Sequence, residues 1–189
     1  MAVSGEGVCA TGSTLTHLEG ALSGERYSAD DLMGLDPADG RPLLARYDLE
    51  KAARTLTDES LAGRRSGGMW RWAELLPVRE KDHVVHLGEG NTPLLPQPRL
   101  GEALGVPLLA TKAEGLNPTG SFKARGMAAA VSRALELGVA SFTAPSAGNA
   151  AGALAAYGAA AGAEVTVLIP VDAAPINRQE ALVMGARLV

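Results

Sequence analysis

The last third of the chain alternates strand-like and helix-like segments, and this alternation constrains the fold more than any other feature of the sequence. Strands rich in β-branched and small apolar residues are predicted over residues 140–144 and 164–169, and a third begins near residue 187. Helices are predicted between them over residues 149–161 and 175–184. A β-α-β-α-β order implies parallel strands joined by right-handed crossovers. The sequence therefore predicts an α/β fold with a small parallel sheet.

The predicted third strand starts only two residues before the end of the 189-residue sequence. A domain seldom ends on a short strand that leaves the edge of its sheet open, so we expect a truncated chain. The sequence divides into four expected regions. They are a disordered N-terminus (1–16), an N-terminal arm or lead segment (17–80), part of a larger domain (81–138) and an incomplete small α/β domain (139–189).

Charge and composition argue against several classes of function. Lys plus Arg number 17 against 21 Asp plus Glu, and no basic cluster indicates a nucleic-acid partner. The apolar stretch 150–163 is short and rich in Ala and Gly, so it predicts a buried helix and no membrane span. The single cysteine, Cys9, and the histidines His17, His83 and His86 lack metal-ligand spacing, so no metal is expected. Without a targeting signal, the expected localisation is cytoplasmic.

A lysine falls at the start of the longest predicted helix. The loop that begins at Asn117 ends at Ser121, which is placed to cap a helix running to about Leu137, and Lys123 lies in its first turn. The helix macrodipole disfavours a cation there, but it favours the neutral amine that a Schiff-base lysine needs. The free N–H groups of the first turn also suit an anion. From the residues alone, Lys123 is either a reactive lysine or a solvated surface lysine.

Two further loops could bind a ligand. The loop Pro145-Ser-Ala-Gly-Asn149 opens a helix at the carboxyl end of the predicted sheet, where ligands bind in open parallel sheets. Gly148 permits close approach of the backbone, and Asn149 offers a donor and an acceptor, although it could equally be a simple N-cap. The loop Gly88-Glu-Gly-Asn-Thr-Pro93 is a Gly/Pro turn that matches neither a P-loop nor a dinucleotide-binding fingerprint.

The three motifs, in this order and spacing, resemble the fold-type II pyridoxal-phosphate (PLP) enzymes, the tryptophan synthase beta-like family. The segment 117–127 looks like the lysine motif of that family, and Ser146-Ala-Gly-Asn149 looks like its asparagine loop. Within the family, Glu89-Gly-Asn-Thr-Pro-Leu94 resembles the threonine synthases. The resemblance covers residues 17–189 and implies the N-terminal part of such an enzyme. It also implies that residues 81–138 belong to the PLP-binding large domain.

The resemblance implies a role for each motif residue. Lys123 would be the catalytic lysine that holds PLP as a Schiff base and moves protons, while Asn149 would bind the 3'-oxygen of the ring and Phe122 would pack beside it. The implied substrate-binding residues are Ser146, Ala147, Gly148 and Thr92. Arg125 is expected to be a structural charge on the helix face, and the alternative is a contact with the substrate. The implied cofactor is PLP alone, the substrate is a small amino acid, and the implied assembly of the full-length enzyme is a homodimer.

The sequence departs from the family pattern at two places. Glu19 to Gly24 stand where many members carry Cys-X-X-Cys, so no zinc knuckle is expected. Ala150 stands where many threonine synthases have a threonine that helps to hold the substrate phosphate. The implied reaction converts O-phosphohomoserine and water into threonine and phosphate. Two alternatives stay open. One is a threonine or serine dehydratase (ammonia-lyase). The other is a non-catalytic remnant, because the family's phosphate loop and pyridine-nitrogen partner have no counterpart here.

Overall fold

The computed structural model describes residues 12–189, apart from the side chains at positions 65 and 66. The segment 1–16 is predicted to be disordered. Its first eleven residues, which include Cys9, lie outside the described residues. For residues 15 and 16 the prediction is wrong, because strand β1 (Leu15–Gly20) begins there. This strand pairs on both sides with antiparallel neighbours, β2 (Arg26–Ser28) and β3 (Leu43–Tyr47). Its backbone hydrogen bonds are thus shared with two partners, which orders the residues around it.

Strands β2, β1 and β3 form the arm sheet, and two short helices follow it. In the sequence, Asp48 is placed to cap a helix predicted to run to Leu56. Helix α1 (Leu49–Ala53) begins after Asp48, whose carboxylate accepts the Lys51 N–H at 2.8 Å. It ends three residues before the predicted position 56. Helix α2 (Asp58–Gly63) begins at a capping box that the sequence analysis did not identify.

The sequence from Met69 to Leu76, which is followed by Pro77, predicts a helix, but the structure has a kinked 3-10 segment, Arg65–Leu75. The kink lies at Gly68, whose φ of 57° only glycine adopts without strain. There the chain turns so that the Met69 N–H reaches the carbonyl of Glu89 at 2.9 Å. A contact between distant segments therefore overrides the local helical preference.

The middle of the chain forms a hairpin-like pair of strands with a helix between them. Strands β4 (Leu94–Pro96) and β5 (Ala110–Lys112) pair antiparallel, and helix α3 (Pro98–Leu104) connects them. Two 3-10 turns, Glu114–Leu116 and Pro118–Gly120, then lead into the longest helix. This is α4 (Lys123–Glu136).

The predicted β-α-β-α-β alternation is confirmed over the last third of the chain. The elements are β6 (Ser141–Pro145), α5 (Asn149–Ala160), β7 (Glu164–Leu168), α6 (Pro175–Val183) and β8 (Arg187–Leu188). The strands are parallel and lie in the order β6-β7-β8. The predicted α/β fold class with its parallel sheet is therefore correct.

The core is built around α5, which is buried over most of its length. Residues 151–158 of this helix are all buried, and the helix contacts α4, α6 and β7. Small side chains permit this packing: a Cβ on Gly158 would lie 2.2 Å from a methyl group of Val165. Trp70 and Tyr157 are the two largest fully buried side chains among the described residues. Within residues 12–189, no helix combines the length and the apolar character needed to cross a membrane.

Candidate active site

Lys123 is the first residue of α4, as the sequence predicts for a first-turn lysine. Ser121, predicted as the N-cap, lies one residue further from the helix than an N-cap does. Its Oγ nevertheless accepts the Lys123 N–H at 3.3 Å. The side chain is half-buried, and Nζ lies 4.9 Å from the centre of the Phe122 ring. In the described part of the chain, Nζ has no hydrogen-bond or ion-pair partner. The lysine therefore presents an amine that no carboxylate engages.

The turn that precedes Lys123 has a strained backbone. Thr119 has a φ of 61° and Gly120 a φ of 66°, so two consecutive residues are left-handed. A β-branched residue rarely adopts this conformation, because its side chain crowds the backbone. The Thr119 hydroxyl is buried and has no hydrogen-bond partner among residues 12–189. Such a turn persists only where its surroundings hold it.

A carboxylate on the preceding 3-10 turn pairs with the helix that carries the lysine. The Arg125 side chain donates Nε to Glu114 Oε2 at 2.7 Å and Nη2 to Glu114 Oε1 at 2.8 Å. The expectation that Arg125 is a structural charge agrees with this two-bond geometry. The hydrogen bonds from Arg125, then from Thr92 and Asn117, lower the pKa of Glu114 to about 2. The same pairing raises the pKa of Arg125.

Thr92 and Asn117 complete this network and connect it to the Gly88–Pro93 loop. The buried Thr92 hydroxyl donates to Glu114 Oε1 at 2.6 Å and accepts from Arg125 Nη2 at 3.1 Å. Asn117 donates to Glu114 Oε2 at 2.8 Å and accepts the Gly90 N–H at 3.0 Å. The predicted substrate residue Thr92 thus has its hydroxyl engaged within the protein. Two of the three sequence motifs meet at one carboxylate.

The third motif follows β6 at the carboxyl end of the parallel sheet. The Ser146 N–H donates to the Leu168 carbonyl at 3.0 Å, and the Gly148 N–H lies 3.3 Å from Ser146 Oγ. The Ala147 carbonyl accepts from Asn177 Nδ2 at 2.8 Å. Within the described residues, the Ala147 N–H has no partner. Of the three backbone N–H groups of the implied substrate-binding residues 146–148, it alone has no acceptor among the described residues.

Asn149 begins α5, and this helix packs against both α4 and the turn Pro118–Gly120. The helix that carries Asn149 thus contacts the turn that precedes Lys123. A cleft of about 530 Å³ opens at the carboxyl ends of β6 and β7. Its lining consists of Pro145, Ser146, Ala147, Leu168, Ile169, Pro170 and Val189. The cleft includes two predicted substrate residues, whereas the lining omits Lys123, Phe122, Asn149, Gly148 and Thr92.

A second polar cluster, which the sequence analysis did not identify, surrounds Glu89. This fully buried carboxylate accepts from Trp70 Nε1 and from the Tyr157 hydroxyl, each at 2.6 Å. His86 Nδ1 lies 3.0 Å from Oε1, and the Leu87 N–H donates to Oε2 at 3.0 Å. Burial alone would raise the pKa of Glu89, but these hydrogen bonds lower it below its ordinary value.

Sequence reasoning missed the Glu114 and Glu89 clusters because their members are far apart along the chain. Tyr157 is 68 residues from Glu89, and Thr92 is 22 residues from Glu114. The only local signal is that Glu114 stands three residues before Asn117 at the edge of the lysine motif. Across residues 12–189, no three His, Cys, Asp or Glu side chains are grouped so that they could hold a metal ion.

Comparisons with known proteins identify relatives of this chain. Residues 85–189, more than half of the chain, match the family described as pyridoxal-phosphate dependent enzyme. Threonine synthase of Methanocaldococcus jannaschii is 38% identical over 167 residues, which cover 88% of this chain and 41% of that protein. Threonine synthase of Methanosarcina acetivorans is 45% identical over 122 residues, which cover 64% of this chain and 30% of that protein.

A structural comparison gives a related result. The crystal structure of a pyridoxal 5'-phosphate-dependent aspartate racemase superimposes with a TM-score of 0.50 and 34% sequence identity. The match covers 52% of this chain and 32% of the racemase chain. The chain thus spans about two fifths or less of the length of each relative named here.

Proposed function

The chain belongs to the family of pyridoxal-phosphate dependent enzymes, and from this premise we propose that it forms the lysine-bearing portion of a threonine synthase. The reaction proposed for the whole enzyme converts O-phosphohomoserine and water into threonine and phosphate. The observation that carries the proposal is the half-buried Lys123 amine at the start of α4, which pairs with no carboxylate in the described structure. The identity to threonine synthases over most of the chain supports the choice of reaction.

The residues around Lys123 fit a PLP cofactor. A nucleophilic lysine must be free of ion pairs, and the start of a helix favours its neutral form. Bound PLP supplies an electron sink for chemistry at the substrate carbons. In the proposed site Lys123 holds the cofactor covalently and moves a proton at Nζ. The exposed amide of Asn149 orients the ring, and the exposed Phe122 ring offers an apolar surface beside it.

The loop after β6 fits the carboxylate of an amino-acid substrate. The Ala147 N–H is free within the described structure, and the first N–H groups of α5 lack intrahelical partners, as in any helix. Ser146 Oγ and the backbone of Gly148 lie next to this donor. The Thr92 hydroxyl can bind substrate only if it leaves Glu114. We therefore propose that Thr92 mainly supports the site, and a direct contact with the substrate is the alternative role.

A dehydratase that acts on threonine or serine is the second candidate function. One observation favours it: position 150 holds Ala, where a threonine would help to bind a substrate phosphate. The two candidates differ in their products. With the complete enzyme, phosphate released from O-phosphohomoserine supports a threonine synthase, whereas a 2-oxoacid formed from threonine or serine supports the dehydratase.

Cofactor attachment to the purified chain tests the role of Lys123. PLP is titrated into the unmodified chain and into Lys123→Ala, the absorbance of the lysine-bound cofactor is followed, and the adduct is reduced with borohydride for peptide mapping. Lys81→Ala is the matched control, because Lys81 is an exposed lysine away from the motif. We expect the label on Lys123 and its loss only in Lys123→Ala. Equal labelling of several lysines, or a band that survives in Lys123→Ala, contradicts the proposal.

A further inference from the structure

We propose that Glu114 is a positioning residue for Lys123, because its carboxylate clamps both sides of the segment that carries the lysine. Asn117, before the lysine, and Arg125, after it, donate to this one carboxylate. The inference rests on the proposed role of Lys123 as the cofactor-binding residue. Glu114 does not contact the Lys123 amine. Among the predicted substrate-binding residues, it contacts only Thr92, through the threonine hydroxyl.

The geometry makes the clamp specific to this segment. Arg125 lies two residues after Lys123 in the first turn of α4, and Asn117 lies six residues before it. Because both side chains bond to the same carboxylate, the two ends of the segment cannot separate without breaking charge-assisted hydrogen bonds. Arg125 uses two nitrogen atoms of its planar guanidinium, which also fixes the rotation of that helical turn.

The strained turn between the two contacts explains why a clamp is needed. Thr119 lies between Asn117 and Lys123 with a φ of 61°, and a threonine keeps that conformation only where the surrounding structure holds it. If the clamp opens, the turn can relax to an ordinary backbone conformation. The start of α4 and the Lys123 amine would then shift.

The clamp also joins the lysine segment to the Gly88–Pro93 loop. Thr92 donates to Glu114, Asn117 accepts from the Gly90 N–H, and the Lys112 amine donates to the Thr92 carbonyl. The position of Lys123 is thus set against two neighbouring segments. Small displacements of a reacting group are costly for chemistry, about a hundredfold in rate for a shift of about 1 Å.

The test compares Glu114→Gln with Glu136→Gln in the full 189-residue chain. Gln keeps the size of the side chain but removes the charge and one acceptor. Glu136 is the matched control because it ends the same helix, pairs with Arg133 and accepts two backbone N–H groups, from Arg79 and Glu80. Two readouts are measured. They are hydrogen exchange of the backbone amides in segment 117–125, and the PLP concentration that half-saturates covalent attachment to Lys123.

We expect Glu114→Gln to speed exchange over 117–125 and to raise the half-saturating PLP concentration about tenfold. Glu114→Asp is the conservative variant. It keeps the charge on a shorter side chain, so it should recover part of both values. Glu136→Gln should leave both readouts unchanged, because its contacts lie at the far end of α4. Unchanged exchange and attachment in Glu114→Gln, or equal effects in Glu136→Gln, overturn the proposal.

The two readouts separate this inference from the proposed function. If the unmodified chain attaches no PLP at Lys123, the cofactor role of the lysine fails in this chain. Exchange that is faster over 117–125 in Glu114→Gln alone would still support the clamp. Exchange that is the same in all the variants would overturn it.

Discussion

A single buried residue, Glu89, joins three parts of the molecule. Its carboxylate is fully buried and accepts from Trp70 of the 3-10 segment, from Tyr157 of α5 and from the Leu87 N–H of its own loop. A buried charge is tolerated only when its lone pairs are satisfied, because burial removes it from water. Burial, followed by the hydrogen bond to Glu89, raises the pKa of the Tyr157 hydroxyl. The tyrosine therefore stays a neutral donor.

We predict that Tyr157→Phe lowers the free energy of unfolding by about 1 to 3 kcal/mol, because one acceptor site of a buried carboxylate loses its donor. Urea denaturation measures the change. Tyr47→Phe is the matched control, because no described residue hydrogen-bonds the Tyr47 hydroxyl, and it should change stability little. Equal effects of the two substitutions would show that the hydrogen bond to Glu89 adds nothing to stability.

At the scale of elements, the 3-10 segment Arg65–Leu75 and the Gly88–Pro93 loop cross so closely that both need a glycine. A Cβ on Gly68 would lie 2.2 Å from the Glu89 carbonyl oxygen, and a Cβ on Gly90 would lie 2.4 Å from the Met69 nitrogen. Both glycines also have a positive φ. The crossing holds the loop that supplies Glu89 and Thr92, so it supports both polar clusters.

Gly90→Ala is expected to destabilise the fold by about 3 kcal/mol or more, because backbone strain and a clash with backbone atoms act together. Gly88→Ala isolates the strain: its φ is 101°, but a Cβ there would meet no atom within 4 Å. It should cost about 1 to 2 kcal/mol. Urea unfolding followed by circular dichroism compares the two variants. Similar losses would mean that the close crossing is not what selects glycine at position 90.

Elements with a local signal could be predicted from the sequence. The strands and helices after residue 140 follow from their alternating pattern, and the start of α1 follows from the Asp48 cap. The kinked 3-10 segment could not be predicted, because its shape depends on the contact between Met69 and Glu89. The helix-start position of Lys123 was predicted, whereas its support by Glu114 depends on partners as far away as Thr92.

At the scale of the whole molecule, carboxylates with lowered pKa values occur from the arm sheet to the lysine motif. Hydrogen bonds from Ser23, Tyr27 and the Ala38 N–H lower the pKa of Asp36. Asp36 lies in the loop between β2 and β3, and Glu19 in strand β1 also has a lowered pKa, chiefly because Arg46 donates to it. Glu89 and Glu114 repeat this pattern near the candidate site. The stability of these separate regions therefore depends on carboxylates that stay ionised.

Acid should consequently destabilise the arm sheet and the candidate site together. Each of these carboxyl groups has a lower pKa in the folded chain than in the unfolded chain, so the unfolded state binds more protons as the pH falls. The stabilisation is complete above the ordinary pKa and disappears as the pH drops through the folded value. For Glu114 this window runs from a pKa of 4.5 down to about 2. Urea unfolding measured from about pH 6 to about pH 3 should show the free energy of unfolding falling as the pH falls.

In Glu114→Gln the fall should be shallower over the lower part of that range, because one proton-binding group is missing. A slope identical to that of the unmodified chain would mean that Glu114 is not held ionised by its partners, and the clamp around Lys123 would lose its electrostatic basis.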